Sequence, residues 1–413
     1  MSDDGGPRDV IPRRLVVFSG VVHYTGGKRL VAHRGFVREI DLWSRIFDRV
    51  LVVGPSSTAS AAEDAVAYGE PNTEFTSLGP PPSTHGFAGK LRLLQRAPQW
   101  VFRARSLLER DDVVMARGPD SIGFLGWILT RFTSRPRFAK YAGPWEPFSG
   151  EAWGWRLQRW FYRSRGFGGP VMIYGTADRR LGHLIPFFTA SVSAAEWELA
   201  GGGSRSDPGE RPFRLLFVGR LRFLKGVDVA LTALRVLRDR GLRARLTVVG
   251  EGPEQHRLEA EARALGVADW VAFEGWVGWE ALVEHYRAAH VLIHPSRNEG
   301  FGKVLLEALT FGLPVVASDV GVSRVLLDPP RCGALVRPGD AGELASAIFE
   351  LASEPDRLRL MSKNARSQAG TLTLDHLEAR YREFVRSHVD LTPVASDWDG
   401  RQESRHLLMR GVD

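Results

Sequence analysis

The chain reads as an α/β protein made of two Rossmann-like, doubly wound domains facing each other across a cleft. Three observations predict this. Short apolar runs alternate with amphipathic stretches through most of the 413 residues, as in parallel strands joined by helices. The alternation breaks once, at Gly201-Gly202-Gly203 and the polar residues after it, and then resumes. A chain of this length also exceeds what one hydrophobic core usually serves. The predicted division is a first domain over 14–199, a linker over 200–211, a second domain over 212–389 and a disordered polar tail over 390–413.

In order, Leu15-Val16-Val17-Phe18 predicts the first strand. A loop with Gly26 and Gly27, a helix near Phe36 to Ile46 and the strand Val50–Val53 complete a βαβ unit. Asp112–Ala116 and Val171–Tyr174 are further strands. Beyond the linker, strands are expected at Leu215–Val218, Leu246–Val249, Val271–Phe273, Val291–His294 and Val315–Ala317, with helices such as Val227–Asp239 and Glu280–Ala289 between them. A long helix over Leu374–His388 follows. Ligands of such sheets bind outside the carboxyl ends of the strands.

Composition narrows the class. Hydrophobic content of 44% and charged content of 25% are those of an ordinary globular protein. Cys332 is the single cysteine, which excludes an internal disulfide and a cysteine-built zinc site. Met1–Arg14 lacks an apolar signal core and no window is apolar enough to span a bilayer, so a cytoplasmic location is expected, with attachment to the inner membrane face as an option. The net charge of +7 invites a nucleic-acid reading, but no recognition motif accompanies it, and no specific nucleic acid is predicted. Phosphate-bearing substrates or an anionic membrane would attract the same surface.

The most informative stretch is Glu299-Gly300-Phe301-Gly302-Lys303-Val304-Leu305-Leu306-Glu307. It follows the Val291–His294 strand and opens an apolar helix that Gly312-Leu313-Pro314 ends. A glycine loop running into a helix N-terminus offers free backbone N–H groups and the positive end of a dipole, which suits an anionic or polyhydroxylated ligand. Were both glutamates on one helix, they would stand roughly 12 Å apart along its axis. Hydrolase carboxylate pairs sit about 5–10 Å apart, so these two read as separate hydroxyl acceptors. No histidine pair has metal-ligand spacing on a helix face, and Asp397-Trp398-Asp399 lies in the tail; no metal or cofactor is predicted.

Five segments in order then resemble one family. They are Gly219-Arg220-Leu221-Arg222-Phe223-Leu224-Lys225-Gly226, Val249-Gly250-Glu251-Gly252-Pro253, Phe273-Glu274-Gly275-Trp276-Val277, the run Pro295 to Glu307, and Gly312 to Ser318. Together they resemble the donor half of a family-four (group 1) retaining glycosyltransferase of GT-B architecture. The resemblance implies that Arg220 and Lys225 grip the diphosphate of a nucleotide-sugar donor and that Glu299 takes the sugar hydroxyls. It implies further that Glu307 takes the ribose, that Phe301, Gly302, Lys303 and Val304 line the sugar and phosphate, and that Gly275, Trp276 and Val277 hold the base beside the Gly252 turn. Front-face substitution with retention follows from the same likeness. Departures stand at His290, in the loop after Ser318, and at Lys303, where many relatives are apolar.

The first domain is expected to take a glycan or lipid-linked acceptor. Gly26 and Gly27 allow close backbone approach, His23 follows the first strand, and Arg117 stands where relatives often carry histidine. Lys90–Arg110 and Trp153–Arg165 are rich in arginine and aromatics, the pattern of helices that lie on an anionic membrane. The function expected is sugar transfer in cell-surface polysaccharide or glycolipid assembly. A nucleotide-sugar epimerase of the same fold and a non-enzymatic polyanion binder are the alternatives; the Arg220/Lys225 pair with Glu299 and Glu307 favours transfer.

Overall fold

The computed structural model describes residues 10–392 apart from 28, 82–97, 132, 149–150, 165–166, 176–179, 202–205, 208 and 329–330. The predicted tail from 393 onward, part of the linker and residues 90–97 of the Lys90–Arg110 segment therefore lie outside the described residues.

Strands of the first half are β1 (Ile11–Phe18), β2 (His23–Tyr24), β3 (Val31–His33), β4 (Phe47–Gly54), β5 (Ser56–Ser57), β6 (Ala65–Ala67), β7 (Thr73–Ser77), β8 (Val113–Gly118), β9 (Arg137–Tyr141), β10 (Val171–Ile173) and β11 (Leu184–Pro186). Seven form a parallel sheet in the order β11-β10-β9-β8-β1-β4-β7, with Leu15 flanked by Val50 and Val113. The second half supplies β12 (Phe213–Val218), β13 (Ala244–Val249), β14 (Val271–Gly275), β15 (Val291–His294), β16 (Val315–Ser318) and β17 (Gly333–Val336). These make a second parallel sheet, β14-β13-β12-β15-β16-β17. A small mixed sheet, β5-β2-β3-β6, was not legible from the sequence, because its strands are two or three residues long.

Both faces of each large sheet are buried, which explains why the strands read as unbroken apolar runs. In the second sheet, Leu215, Phe217, Leu246 and Val248 pack to one side. Leu216, Val249, Leu292 and Ala317 pack to the other. Adjacent strand residues thus serve opposite faces.

The Leu374–His388 helix crosses back onto the first sheet. Tyr381 stacks on Trp43 at 4.1 Å and on Phe187 at 5.2 Å, and Phe384 meets Phe138 edge-on. Its cap is Thr373, whose hydroxyl accepts from the His376 N–H. Among the described residues, no helix is long and apolar enough to cross a membrane.

Candidate active site

Each sheet reverses its strand order once, between β1 and β8 in the first and between β12 and β15 in the second. Segments that follow β1, β12, β13 and β14 line one cavity of about 1070 Å³ between the lobes. This is where α/β sheets bind ligands.

On the second-lobe wall stand Arg220, Gly252, Trp276 and Val277. Arg220 is exposed and lies two residues past the end of β12. A Cβ at position 252 would lie 2.3 Å from the Leu221 carbonyl oxygen, so glycine lets the loop after β13 lie against the Arg220 loop. Gly275, at φ +70°, turns the chain out of β14 and places Trp276 44% exposed on the wall. Trp276 is not a core residue.

A smaller cavity of about 360 Å³ adjoins Glu299, Gly300, Phe301 and Lys303, with Glu39, Arg117, Trp155 and Tyr174 of the first lobe opposite. Glu299 forms an ion pair with Lys225, receives the Gly300 N–H at 3.3 Å and lies 3.4 Å from His294 Nε2. Burial alone would raise its pKa, but the His294 hydrogen bond and the Lys225 ammonium outweigh it and hold the carboxyl at about 2. The Lys303–Thr310 helix begins at Gly302 without a side-chain cap, which leaves its leading N–H groups to a ligand. Phe301 is buried against Tyr174 at 5.1 Å, and Val304 is half-buried. Glu307, one turn along, accepts from the buried Tyr286 hydroxyl at 2.9 Å.

Lys303 crosses between lobes and donates to the Gly35 carbonyl at 3.2 Å. Burial lowers its pKa to about 8; Glu39 opposes this, and Lys140 and Arg117 add to it. Glu39 is 4% exposed, 3.1 Å from Lys140 and 3.6 Å from Arg117. Burial disfavours its charge, but these two cations win and keep the carboxyl below its ordinary range.

Two expectations for the first domain do not hold. His23 lies in the core, not in the cleft: it is fully buried, stacks on Phe75 at 4.2 Å and bonds the Tyr68 hydroxyl at 2.7 Å. Burial lowers its pKa to about 4. Alternation carries it inward once β2 joins the small sheet. Gly26 and Gly27 line a separate pocket with Thr58 and Ala59. The Cβ of an alanine at 26 would lie 2.6 Å from the Thr58 carbonyl, so close packing to that loop explains this glycine.

The histidine on the cavity wall is instead His33, whose Nε2 is 3.0 Å from Asp64 and whose Nδ1 accepts from the Gly35 N–H. Glu39 and Lys140 were also missed. A signal existed for Glu39: it sits three residues after Phe36 and four before Trp43, an acid on the apolar stripe of a helix.

The sequence profile described as "Glycosyl transferases group 1" matches residues 204–368. The match lies in the second lobe and the linker before it, and there the chain is similar to the group 1 glycosyl transferases. A D-inositol 3-phosphate glycosyltransferase of Geodermatophilus obscurus is 43% identical over 180 residues, 40% of this chain and 39% of that one. The match thus spans about two-fifths of the relative's length. Sucrose-phosphate synthase from Thermosynechococcus elongatus superposes with a TM-score of 0.66 at 21% identity, covering 91% of this chain and 98% of the other. HepE from Anabaena, crystallised with UDP-glucose, gives 0.65 at 19%, covering 91% and 99%. At such identities the structures speak for the fold alone, and that fold is the two-lobed GT-B architecture.

Proposed function

We propose that the protein is a retaining glycosyltransferase that moves a sugar from a nucleotide-diphosphate donor to a glycan or lipid-linked acceptor in cell-surface polysaccharide or glycolipid assembly. One observation carries this: Lys225 and Glu299 meet as an ion pair beside the uncapped helix tip, with Arg220 on the wall of the neighbouring large cavity. In that reading the second lobe holds the donor and the first lobe the acceptor.

The base lies on Gly275–Val277, the ribose is taken by Glu307, and the diphosphate lies toward Arg220, Lys225 and the helix tip. Fixed cations and backbone N–H groups aimed at the departing diphosphate stabilise charge as it develops, without reorganising at the moment of reaction. When the diphosphate arrives, Lys225 exchanges Glu299 for phosphate oxygen. Glu299, ionised far below neutral pH, is then released to accept hydrogen bonds from the sugar hydroxyls.

A peripheral membrane location on the inner face belongs to the same proposal. On the Trp153–Arg163 helix, Trp153 and Trp160 are 67% and 62% exposed, while Tyr162 and Arg159 are buried. Exposed tryptophans beside arginines are the chemistry of an interfacial helix.

A thermal-shift screen over nucleotide-diphosphate sugars, starting with UDP-glucose, tests the donor assignment, since a ligand bound only by the folded state raises its melting temperature. The expected result is one preferred donor, with the shift lost in Lys225→Ala. No shift with any nucleotide sugar overturns the proposal. Incubating the preferred donor without acceptor separates transfer from epimerisation.

A further inference from the structure

We propose that the smaller cavity seats an anionic acceptor, a sugar or polyol bearing a carboxylate or phosphate, gripped by Arg117 and Lys303 and oriented by Glu39. This rests on the glycosyltransferase reading and names the class of acceptor. The cavity, about 360 Å³, lies at the small end of the range for ligand pockets. It adjoins Glu299, so a group seated there stands next to the donor sugar.

Charge decides what that group is. Arg117, Lys140 and Lys303 surround the single carboxylate of Glu39. The other acids nearby are committed: Glu299 to Lys225, Asp120 to the Gly123 N–H at 2.6 Å as cap of the Ser121–Thr130 helix, and Glu307, whose charge also reaches Lys303, to the Tyr286 hydroxyl at 2.9 Å. Cations in excess within a poorly hydrated space are costly unless a ligand supplies the missing negative charge. Lys140 is spent on Glu39 and the Tyr381 hydroxyl, which leaves Arg117 and Lys303 facing the cavity.

Orphaned atoms point the same way. Glu39 Oε1 and Arg117 Nε are buried without a hydrogen-bond partner, although buried polar groups are normally paired. The Nε edge of a guanidinium is one side of the fork that takes carboxylate or phosphate, and a bare carboxylate oxygen accepts a hydroxyl. The lobes are also shaped for this contact. A Cβ on Gly35 would lie 2.6 Å from Lys303 Nζ, so glycine at the start of the first-lobe helix admits the ammonium of the other lobe.

Calorimetric titration of the full chain with glucuronate, glucose 6-phosphate and glucose, each with and without UDP, tests the assignment. At least one anionic sugar should bind at least tenfold tighter than glucose. Lys303→Met and Arg117→Gln should each erase that preference, and Gly35→Ala, which crowds the ammonium without removing its charge, should reduce it. Should Arg117→Gln fold poorly, Lys303→Met carries the test, because its side chain lies on a helix tip outside the sheet cores. Preference for glucuronate alone assigns a carboxylate, and for glucose 6-phosphate alone a phosphate. Equal binding of glucose, a preference surviving in both variants, inorganic phosphate binding as tightly as the sugars, or no sugar binding at millimolar concentration overturns the proposal. If UDP binds while the preference is missing, only this inference falls. If the preference appears but no nucleotide binds, the donor reading falls and an anion site remains.

Discussion

The two walls of the cleft are built differently. On the second lobe, Arg220, Trp276 and Glu299 sit on loops at strand ends, Lys225 ends the 3-10 turn Phe223–Lys225, and the Lys303–Thr310 helix presents only its tip. On the first lobe, the charged groups are part of the core: Glu39 and Lys140 are 4% and 1% exposed, and Lys140 donates to Tyr381 on the returning helix. Function and stability are therefore separable on one side and fused on the other.

The sharpest way to break that contrast is Lys140→Met. The change strips Glu39 of its nearest cation and Tyr381 of its donor while Arg117 remains 3.6 Å from the carboxylate, and a loss of about 1–3 kcal/mol in urea unfolding is expected. A loss below 1 kcal/mol would mean that Glu39 is not held by Lys140. On the opposite wall, Glu299→Ala should lower donor turnover by roughly 10²–10³. Because Lys225 is partly exposed, the same change should cost no more than about 1 kcal/mol of stability. Wild-type turnover in Glu299→Ala would remove the site assignment.

A third test is titration. His23 has a folded pKa of about 4 against an ordinary 6.5, so the unfolded chain binds more protons between those values. Its contribution is fully present above pH 6.5 and is lost as pH falls toward 4, at most about 3 kcal/mol. In His23→Gln the slope of stability over that window should be shallower; an unchanged slope places the titration elsewhere. The smallest effect belongs to the exposed helix. Trp153→Ser with Trp160→Ser should leave stability within about 0.5 kcal/mol, yet reduce pelleting with anionic vesicles. Undiminished pelleting would deny these residues an anchoring role.

The same contrast explains what was legible. Second-lobe positions are contiguous and marked by glycine, since backbone must approach backbone at Gly252, so a linear reading finds them. Most strands of the large sheets were legible too, because doubly covered sheets leave continuous apolar runs at β1, β12 and β15, whereas β7, β9, β11 and β17 were missed. Arg117 was named from the sequence, but Glu39, Lys140 and Tyr174 come from a helix, β9 and the turn after β10, and only the crossing order of the sheet brings them to it. His23 was misplaced for a related reason: β2 is two residues long, too short to show alternation, and pairing with β3 and β5 decides which way the ring points.

The return of the Leu374–His388 helix has a consequence for synthesis on the ribosome. Trp43, Phe138 and Phe187 emerge early, but the aromatic lid over them, Tyr381 and Phe384, is translated roughly 200 residues after β11, some 10–40 s later at ordinary elongation rates. The nascent first lobe must wait with that apolar surface uncovered while the second lobe is made. A fragment cut at the linker would keep the exposed surface permanently, whereas fusing residues 374–389 to it would supply the missing lid.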